Sequence, residues 1–328
     1  MLNFELPSLE WRSAVLPKKS GGVRKIKIPN DDLKKVQRDI LQYLYKLRKD
    51  GYINIASFAH GFVPFKNTMT SIAKHPRESQ CRLCCDVKDF FDNFPIEPVR
   101  MQLLNAGIPE GTVDKIIKAC TYKGHFPQGS PASPYLTNIG MFEVDLLLSS
   151  YAKANGFVYT RYADDITFSL LPGNEPRERF KKDPETGERT DKRVVNPYMD
   201  IFYGIETILK NKLGLVLKHK KDHIIWKNSR TKPQVLGVVI RSDNKGYNAP
   251  KKLRLKTRAI IHQLAKKIEK QHGKTKPADW GKWAEAKGAI MYMDYVRSFS
   301  DAESATADPI IQEKYFNYLE SVFDKKGK

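Results

Sequence analysis

The stretch YTRYADDITFS, from Tyr159 to Ser169, places two adjacent carboxylates between two segments that are rich in aromatic and β-branched residues. This composition predicts strands over 157–162 and 166–170, and the three residues between them are few enough for a tight hairpin turn. Aspartate is common in turns, so the acidic pair by itself has an ordinary structural explanation. That explanation changes when an earlier strand of the sequence is considered.

The earlier strand is the apolar run CRLCCDV (81–87), which ends in Asp86 and Val87. Since side chains alternate between the faces of a strand, Asp86 is expected to share a face with Cys84. If this strand neighbours the hairpin in one sheet, Asp86 and Asp164 come together and Asp165 lies beside them. Carboxylates held close together repel one another unless a cation neutralises them. The acids therefore predict a nucleotidyl-transfer site with two Mg²⁺ ions roughly 4 Å apart.

The charge balance of the chain favours a polyanionic partner. The 328 residues include 57 Lys and Arg against 37 Asp and Glu, which gives a formal net charge of +20. That excess is larger than solubility requires, and nucleic acid is the commonest polyanion that such proteins bind. A solvated surface that is simply basic is the alternative explanation.

The cysteines and the N-terminal residues argue against other classes of protein. Cys81, Cys84, Cys85 and Cys120 contain one C-x-x-C spacing, but no second Cys or His pair follows at the spacing of a zinc site. We expect Cys84 and Cys85 to be reduced core residues of a strand. The chain begins without a basic segment followed by an apolar one, and no window approaches eighteen apolar residues. A cytoplasmic protein without a membrane partner is therefore expected.

The remaining pattern mixes strands and helices and predicts an α/β (α+β) protein. The alternating segment 23–28 is typical of a half-exposed strand, and an amphipathic helix follows it. The segment 172–197 is polar and charged, which predicts a long mobile surface loop or a flexible hairpin. The basic amphipathic segment 251–270 predicts a helix, and two more helices are expected near 280–299 and 309–324.

Several motifs occur in a recognisable order. They are RKIKIPNDDLKKVQ (24–37), CCDVKDFF (84–91), PQGSPASPYLTN (127–138), YTRYADDITFS (159–169), KKDHI (220–224) and VLGVVI (235–240). Together they resemble the palm of a reverse transcriptase, and more closely the reverse transcriptases of bacterial retrons. The resemblance extends from about residue 18 to the last helices.

This resemblance implies a right-hand polymerase fold with fingers, palm and thumb. The fingers would comprise residues 1–85, with 96–135 contributing. The palm would comprise residues 80–248, an antiparallel sheet that carries the YxDD hairpin. The thumb would be the α-helical region 249–328.

The resemblance also assigns roles to the acidic residues. Asp86, Asp164 and Asp165 match the catalytic, metal-binding carboxylates, and the backbone carbonyl of Val87 usually joins the coordination. The implied reaction is template-directed DNA synthesis from deoxynucleoside triphosphates on RNA, with two Mg²⁺ ions in each active site.

Other residues match the nucleotide-binding positions. Phe91 matches the aromatic residue under the sugar, whose ring leaves no room for a 2′-hydroxyl, and Gln128 matches the glutamine that abuts the nucleotide and the template. Arg24, with Lys25 or Lys27, forms a plausible triphosphate clamp, because cationic groups offset developing negative charge. For Lys27, generic binding of the nucleic-acid backbone is the alternative.

The later motifs supply further candidates. Lys220 or Lys221 matches the lysine that assists the pyrophosphate leaving group, and a solvated lysine run is the alternative. Gly237 would belong to the primer grip hairpin, where a backbone passes close to the primer end. The predicted primer and template contacts are Tyr162, Gly237, Lys251, Lys252, Arg254, Lys256 and Arg258.

The retron resemblance implies partners beyond the substrate. Such enzymes bind a structured non-coding RNA of the msr–msd type, prime from a 2′-hydroxyl within it, and leave a short single-stranded DNA (msDNA) attached to it. The particle commonly restrains an operon-encoded effector protein as part of antiphage defence. Two departures from the family pattern occur, since Leu236 replaces the threonine of Val-Thr-Gly and His75 lacks the preceding Asn-Ala.

Three alternatives stay open at this point. One is a non-retron bacterial reverse transcriptase, related to group II introns or of another defence type. Another is a non-catalytic scaffold that only holds RNA and partner proteins, although the intact acids, Gln128 and Phe91 argue against it. An RNA-dependent RNA polymerase shares the metal chemistry, but the bulky Phe91 argues against that alternative too.

Overall fold

A computed structural model describes residues 4–17, 22–178, 180–183, 185–193, 196–227, 234–241, 246–271, 274–300 and 313–324. The chain divides into two compact units, Met1–Ile224 and Ile225–Lys328. The division into fingers, palm and thumb stays a prediction, because the two units do not correspond to three subdomains.

The first unit begins with an antiparallel hairpin of β1 (Trp11–Pro17) and β2 (Val23–Pro29), paired from Trp11 opposite Pro29 to Pro17 opposite Val23. Most of its side chains are exposed, as the alternating basic pattern predicts. Helix α1 (Asp31–Lys49) follows directly, and the Asn30 side chain caps it by accepting a hydrogen bond from Leu33 N at 2.8 Å.

Helices surround the strands that follow. They are α2 (Thr68–Ile72), α3 (Phe90–Asn93), α4 (Glu97–Asn105), α5 (Glu110–Cys120), α6 (Ser133–Gly140), α7 (Phe142–Ala154) and α8 (Met199–Leu213). The segment PYLTNIGMFEVDLLLSSYAKANG (134–156), with Ser133 as its cap, predicts one helix, but the structure breaks it into α6 and α7 at Met141. Gly140 allows the break to pack tightly, because a Cβ there would lie 2.8 Å from both Phe94 and Val99.

The central sheet of the described residues has four strands in the order β4–β5–β3–β8. Its members are β3 (Cys81–Asp86), β4 (Phe157–Tyr162), β5 (Asp165–Leu170) and β8 (His223–Trp226). Strand β5 pairs antiparallel with both β3 and β4, so the predicted neighbourhood of the two acid-bearing segments is confirmed. Every residue of β3 is buried. The four cysteines are buried free thiols, as expected.

The polar segment 172–197 contains a separate two-stranded antiparallel ladder. Strands β6 (Phe180–Lys182) and β7 (Arg189–Arg193) pair with Phe180 opposite Arg193 and Lys182 opposite Arg189. Of the two predicted alternatives, a loop or a hairpin, the hairpin is therefore correct.

The second unit contains a small sheet and a helical core. The sheet has the order β11–β10–β9, from β9 (Gln234–Val235), β10 (Val238–Ile240) and β11 (Tyr247–Asn248). The helices are α9 (Lys251–Lys270), α10 (Pro277–Arg297) and α11 (Glu313–Phe323). The start of the predicted last helix, 309–312, lies outside the described residues.

The large apolar residues of the segment 251–270 predict a core-facing stripe, from which the core of these helices differs in part. The predicted stripe comprises Leu253, Ile260, Ile261, Leu264 and Ile268. Ile261, Leu264 and Ile268 are buried as predicted, and the Trp283 ring stacks on Phe323 with centroids 5.7 Å apart. Leu253 and Ile260 are only half-buried, and Thr257 and Ala265 are buried instead. The buried face is therefore rotated slightly from the one that large apolar residues alone indicate. Within the described part of the chain, no helix combines the length and apolar character needed to cross a membrane.

Candidate active site

The sheet brings the predicted acidic residues to one end. Asp86 lies directly opposite Asp165 in the β3–β5 register, and Tyr162 lies opposite Asp165 on the other side. Asp164 occupies the two-residue turn between β4 and β5, and its carbonyl accepts a hydrogen bond from Val87 N at 3.0 Å. Asp165 is therefore the cross-strand neighbour of Asp86. The sequence predicts instead that Asp164 lies next to Asp86, with Asp165 beside them.

The oxygen atoms around these acids are of the kind that bind a divalent cation. Asp86 is 8% exposed, Asp164 is half-buried and Asp165 is exposed. Facing carboxylates on adjacent strands have Cβ atoms about 4.5–5.5 Å apart, so their charges repel. Carboxylate and carbonyl oxygens are the ligands that Mg²⁺ accepts. In the described ranges, however, no three Asp, Glu, His or Cys side chains already converge into a metal-holding cluster.

Buried thiols lie below the acids on the same strand. Burial raises the pKa of Cys84 to about 12, and it raises the pKa of Cys85 as well. Both thiols are therefore neutral at physiological pH, and the sulfurs add no charge to the carboxylate end of the sheet.

The turn that carries Asp164 is held by the loop before α2. Ala163 has a left-handed φ of 57°, which is unusual for a residue with a Cβ. Gly61 packs on it so closely that a Cβ at Gly61 would lie 2.5 Å from Ala163 N. The Asn138 side chain donates to the Gly61 carbonyl at 2.7 Å, and His60 N donates to the Arg161 carbonyl at 2.9 Å. A glycine at position 61 is thus a steric requirement of this turn.

A buried ion pair holds the same turn from the other side. Arg161 and Asp145 have fully buried side chains and form two hydrogen bonds of 2.8 Å. Arg161 also donates to the Ala163 carbonyl at 3.0 Å, and the Tyr159 hydroxyl donates to Asp145 at 2.7 Å. Burial by itself disfavours the guanidinium cation, but the Asp145 carboxylate keeps the pKa of Arg161 above its ordinary value.

This network lies outside the motifs that the sequence predicts to be functional. Arg161 lies between the aromatic residues of β4, and Asp145 lies in the apolar helix α7. A charged residue in an apolar strand needs a buried partner, and that was the signal available.

The other edge of β3 is bound to the segment that leads to the predicted lysines. Lys218 N donates to the Asp86 carbonyl at 2.8 Å, and Lys88 N donates to the Val216 carbonyl at 2.9 Å. A 3₁₀ turn (His219–Lys221) follows, in which Lys220 is exposed. The chain therefore places Lys220 two residues from a direct backbone contact of Asp86.

His219 fixes that turn. It contacts Glu206 Oε2 through Nε2 at 3.0 Å and Asp222 Oδ2 through Nδ1 at 2.6 Å, and Glu206 Oε1 accepts from Leu217 N at 2.8 Å. Burial alone would lower the pKa of His219, but the hydrogen bonds to Glu206 and Asp222 raise it above its ordinary value.

Strand β2 is joined to the predicted nucleotide-binding loop. Lys27 N donates to the Gln128 carbonyl at 2.8 Å, and a Cβ at Gly129 would lie 2.4 Å from the Lys27 carbonyl oxygen. The Lys27 ammonium group donates to Ser13 Oγ at 2.6 Å and lies 4.7 Å from the centroid of the Tyr122 ring. The side chains of Arg24 and Lys25 are exposed, as a triphosphate clamp requires.

Aromatic residues adjoin the acidic end of the sheet. Phe91 is half-buried, with its ring centroid 5.3 Å from Phe90 and 6.4 Å from Phe62. Phe90, next to it, is buried in the core. Phe62 lies outside the sequence motifs that predict the site.

His75, the histidine that this chain shares with the retron pattern, is buried. Its Nε2 lies 2.7 Å from Thr160 Oγ1 on β4, and burial lowers the pKa of His75 to about 3. The imidazole is therefore neutral, and it packs against the β4–β5 hairpin.

The remaining candidates lie in the second unit. Leu236 and Gly237 form the two-residue turn between β9 and β10, with φ values of 47° and 79°. On α9, Lys251, Lys252 and Arg258 are exposed. Further along that helix, Arg254 is half-buried, and the exposed Lys256 contacts Glu285 at 2.6 Å.

Comparison with known proteins agrees with this geometry. The family model "Reverse transcriptase (RNA-dependent DNA polymerase)" matches residues 16–182, which is half of the chain. The Retron Mx162 reverse transcriptase of Myxococcus xanthus is 28% identical over 275 residues, covering 77% of this chain and 52% of the relative. The Retron Ec86 reverse transcriptase of Escherichia coli is 28% identical over 242 residues, covering 74% and 65%. The Retron Mx65 reverse transcriptase of M. xanthus is 34% identical over 172 residues, covering 47% and 39%.

These relatives confirm the predicted resemblance to retron reverse transcriptases, although the chain spans about half of the length of Mx162 and less of Mx65. Among solved structures, telomerase from Candida albicans in complex with a fragment of telomeric RNA matches with a TM-score of 0.50 at 11% identity. That match covers 98% of this chain and 63% of the telomerase chain. The predicted polymerase fold is therefore confirmed. The chain belongs to the reverse transcriptase (RNA-dependent DNA polymerase) family.

Proposed function

We propose that this protein is an RNA-directed DNA polymerase that copies a structured non-coding RNA into short single-stranded DNA. The observation that carries the proposal is the β3–β5 register, with Asp86 opposite Asp165 and the Asp164 turn bonded to Val87. The relatives' names support a retron enzyme, and the finer expectations follow from that class. They are an msr–msd RNA, RNA-linked msDNA, an effector protein, antiphage defence and a cytoplasmic location.

In this proposal, Asp86, Asp164, Asp165 and the Val87 carbonyl hold two Mg²⁺ ions. The N–H and C=O of one residue in an extended strand point to the same side. Since Val87 N donates to the Asp164 carbonyl, the Val87 carbonyl faces the same turn. The ions would supply an activated primer hydroxyl and neutralise charge on the leaving pyrophosphate.

The incoming nucleotide would be held by residues from several segments. Phe91 would exclude a 2′-hydroxyl, and Gln128 would touch the nucleotide and the template base. The exposed Arg24 and Lys25 would bind the triphosphate, with Lys220 or Lys221 on the pyrophosphate side. Lys27 is a weaker candidate because Ser13 and Tyr122 already engage its ammonium group.

The thumb assignment of 249–328 and the primer grip at Gly237 belong to the same proposal. The exposed cations of α9 would follow the phosphates of the template–primer duplex, and this contact would be salt-dependent. Lys256 contributes less than Lys252, because Glu285 competes with a phosphate for its ammonium group. Tyr162, opposite Asp165, would lie beside the primer end.

A primer-extension assay tests the activity. Purified full-length protein is given an RNA template, a DNA primer, four deoxynucleotides and Mg²⁺. We expect extension, and we expect D164N with D165N to reduce the rate by about 10³-fold or more, since several kcal/mol of charge stabilisation are lost. The control D39N changes an exposed acid on α1 and keeps the wild-type rate.

The nucleic acid that co-purifies from cells tests the retron assignment. Digestion with RNase and DNase in turn, followed by a denaturing gel, should reveal a discrete DNA joined to RNA. This product should come from the wild type and not from the D164N/D165N variant. Extension without such a product would leave a polymerase of another bacterial class. RNA binding with no extension would favour the non-catalytic scaffold.

A further inference from the structure

We propose that the loop of residues 60–66, here named the aromatic loop, is a stacking surface for unpaired bases of a single-stranded RNA, with Phe65 as its principal ring. This inference rests on the proposed function for the identity of the strand. It adds a nucleic-acid contact outside every motif that the sequence analysis assigned.

The loop exposes large aromatic rings to solvent. Phe62 is 52% exposed and Phe65 is 102% exposed. Scattered apolar residues at surfaces are common, but a completely exposed phenylalanine leaves its whole ring available for contact. The ring gains no burial in the folded chain.

The backbone under these rings is unfavourable for them. Phe62 and Phe65 have left-handed φ values of 58° and 64°. Lys66 N donates to the Val63 carbonyl at 3.0 Å, which closes a turn with Pro64 second and Phe65 third. Gly or Asn is favoured at the third position of such a turn. A strained phenylalanine whose ring is not buried suggests a role outside folding.

The loop is nevertheless firmly anchored. The Lys66 ammonium group donates to the carbonyls of Ser57 at 2.7 Å and Ala59 at 2.9 Å. Asn67, the next residue, caps α2 through a reciprocal capping box. The rings are thus presented on a pre-ordered surface, and binding costs little ordering entropy.

The position of the loop favours the template strand as its occupant. Gly61 packs on the turn that carries Asp164, and the Phe62 ring centroid lies 6.4 Å from Phe91. A strand that delivers a template base to this site must pass the same end of the sheet. Phe65 lies three residues beyond Phe62 and would meet a base that has not yet been copied.

The charges around the loop complement a polyanion. Burial lowers the pKa of Lys66, the nearby cations Arg48 and Lys74 lower it further, and Asp145, which is itself paired with Arg161, opposes them. Aromatic rings within a basic surface are the arrangement by which proteins bind single-stranded nucleic acid without sequence preference. The occupant we infer is therefore RNA rather than an apolar peptide.

The test measures binding rather than synthesis. Fluorescence anisotropy with a labelled RNA template annealed to a short DNA primer is compared for the wild type, F62A, F65A and F65L. We expect F65A to bind about 5- to 100-fold more weakly. F65L should be nearly as weak, because it keeps apolar area without a π face. Y52A, which removes a ring that is 62% exposed after α1, is the matched control and binds like the wild type.

Two further readouts separate stacking from other causes. The salt dependence of binding should be unchanged in F65A, because no phosphate contact is lost. A series of templates with one abasic nucleotide should weaken wild-type binding at one position, and the same lesion should have no further effect in F65A.

F65G should raise Tm by about 2–4 °C, since glycine relieves the left-handed φ, while RNA binding falls. Unchanged affinity in F65A, or full affinity in F65L, would overturn the proposal. So would an abasic series that affects wild type and F65A equally. If F65A bound RNA like the wild type but bound a protein partner more weakly, the aromatic loop would be a protein-binding surface instead. A wild-type protein that binds RNA but extends no primer would refute the polymerase function and leave this binding result standing.

Discussion

Two hairpin turns of the same length are held in different ways. Ala163–Asp164 and Leu236–Gly237 each join two strands, and each begins with a non-glycine residue of left-handed φ. The first is fixed by Gly61 and Val87, which come from two other places in the sequence, and by Arg161 of β4, which Asp145 on α7 holds in place. At Gly237, by contrast, an added Cβ would meet no atom of the described residues within 4 Å. The turn that carries Asp164 is therefore held by contacts from distant segments, whereas within the described residues no such close approach occurs at Gly237.

The largest expected effect breaks the support of the first turn. R161M removes the buried cation and leaves Asp145 charged without its partner, which should cost about 3–5 kcal/mol in the free energy of unfolding. Urea denaturation measures this loss, and the double variant D145L/R161M should recover much of it. R100M is the matched control, because Arg100 pairs with Glu110 and Asp114 at the surface, and it should cost less than about 1 kcal/mol. Equal losses in both would contradict the comparison.

A second prediction concerns the close approach at Gly61. G61A places a Cβ 2.5 Å from Ala163 N, so the loop or the turn must shift, at a cost of about 1–3 kcal/mol. Because the shift occurs at the residue before Asp164, we also expect primer extension to fall by more than stability accounts for. G111A adds a methyl group in open space on α5 and should be neutral or slightly stabilising. Full activity in G61A would show that the turn tolerates displacement.

An asparagine at the first residue of each turn should have opposite effects on stability at the two turns. L236N creates the Asn-Gly pair that two-residue hairpins prefer, and we expect a gain of about 0.5 kcal/mol. A163N introduces a polar side chain at a position that is 7% exposed, and we expect a loss of about 1–2 kcal/mol. Thermal unfolding of both variants checks the signs. A gain in A163N would mean that its tertiary contacts constrain the turn less than we infer.

The smallest expected effect is a pH dependence at the other edge of β3. The folded pKa of His219 is raised above 6.5, so its contacts with Glu206 and Asp222 stabilise the protein fully below that pH. The stabilisation is lost as the pH rises through the folded pKa. Since the imidazole is 37% exposed, we expect about 1 kcal/mol or less. Unfolding free energies of wild type and H219Q between pH 5.5 and 9 should converge at the alkaline end.

The local features of the site could be predicted from the sequence. Strand composition and a short acidic turn identify the β4–β5 hairpin, and the apolar run CRLCCDV identifies β3 with Asp86 at its end. The register could not be predicted to the residue, because a one-residue slip exchanges Asp164 and Asp165 as the neighbour of Asp86.

Contacts between distant segments were beyond sequence reasoning. The Arg161–Asp145 pair depends on how α7 packs on β4, and nothing in the local pattern records that packing. The left-handed conformations of Phe62 and Phe65 contradict local propensity, so propensity could not reveal them. The exposure of those rings is likewise a property of the assembled loop.

The contact between Gly129 and the Lys27 carbonyl has a mechanical consequence. The hydrogen bond from Lys27 N to the Gln128 carbonyl and the absence of a side chain at Gly129 lock β2 and this loop together. A displacement of β2, which carries Arg24, should therefore displace Gln128 as well, although the two residues are far apart in the sequence. In the proposed function, binding of the triphosphate by Arg24 and contact of Gln128 with the nucleotide and the template base would then be coupled rather than independent.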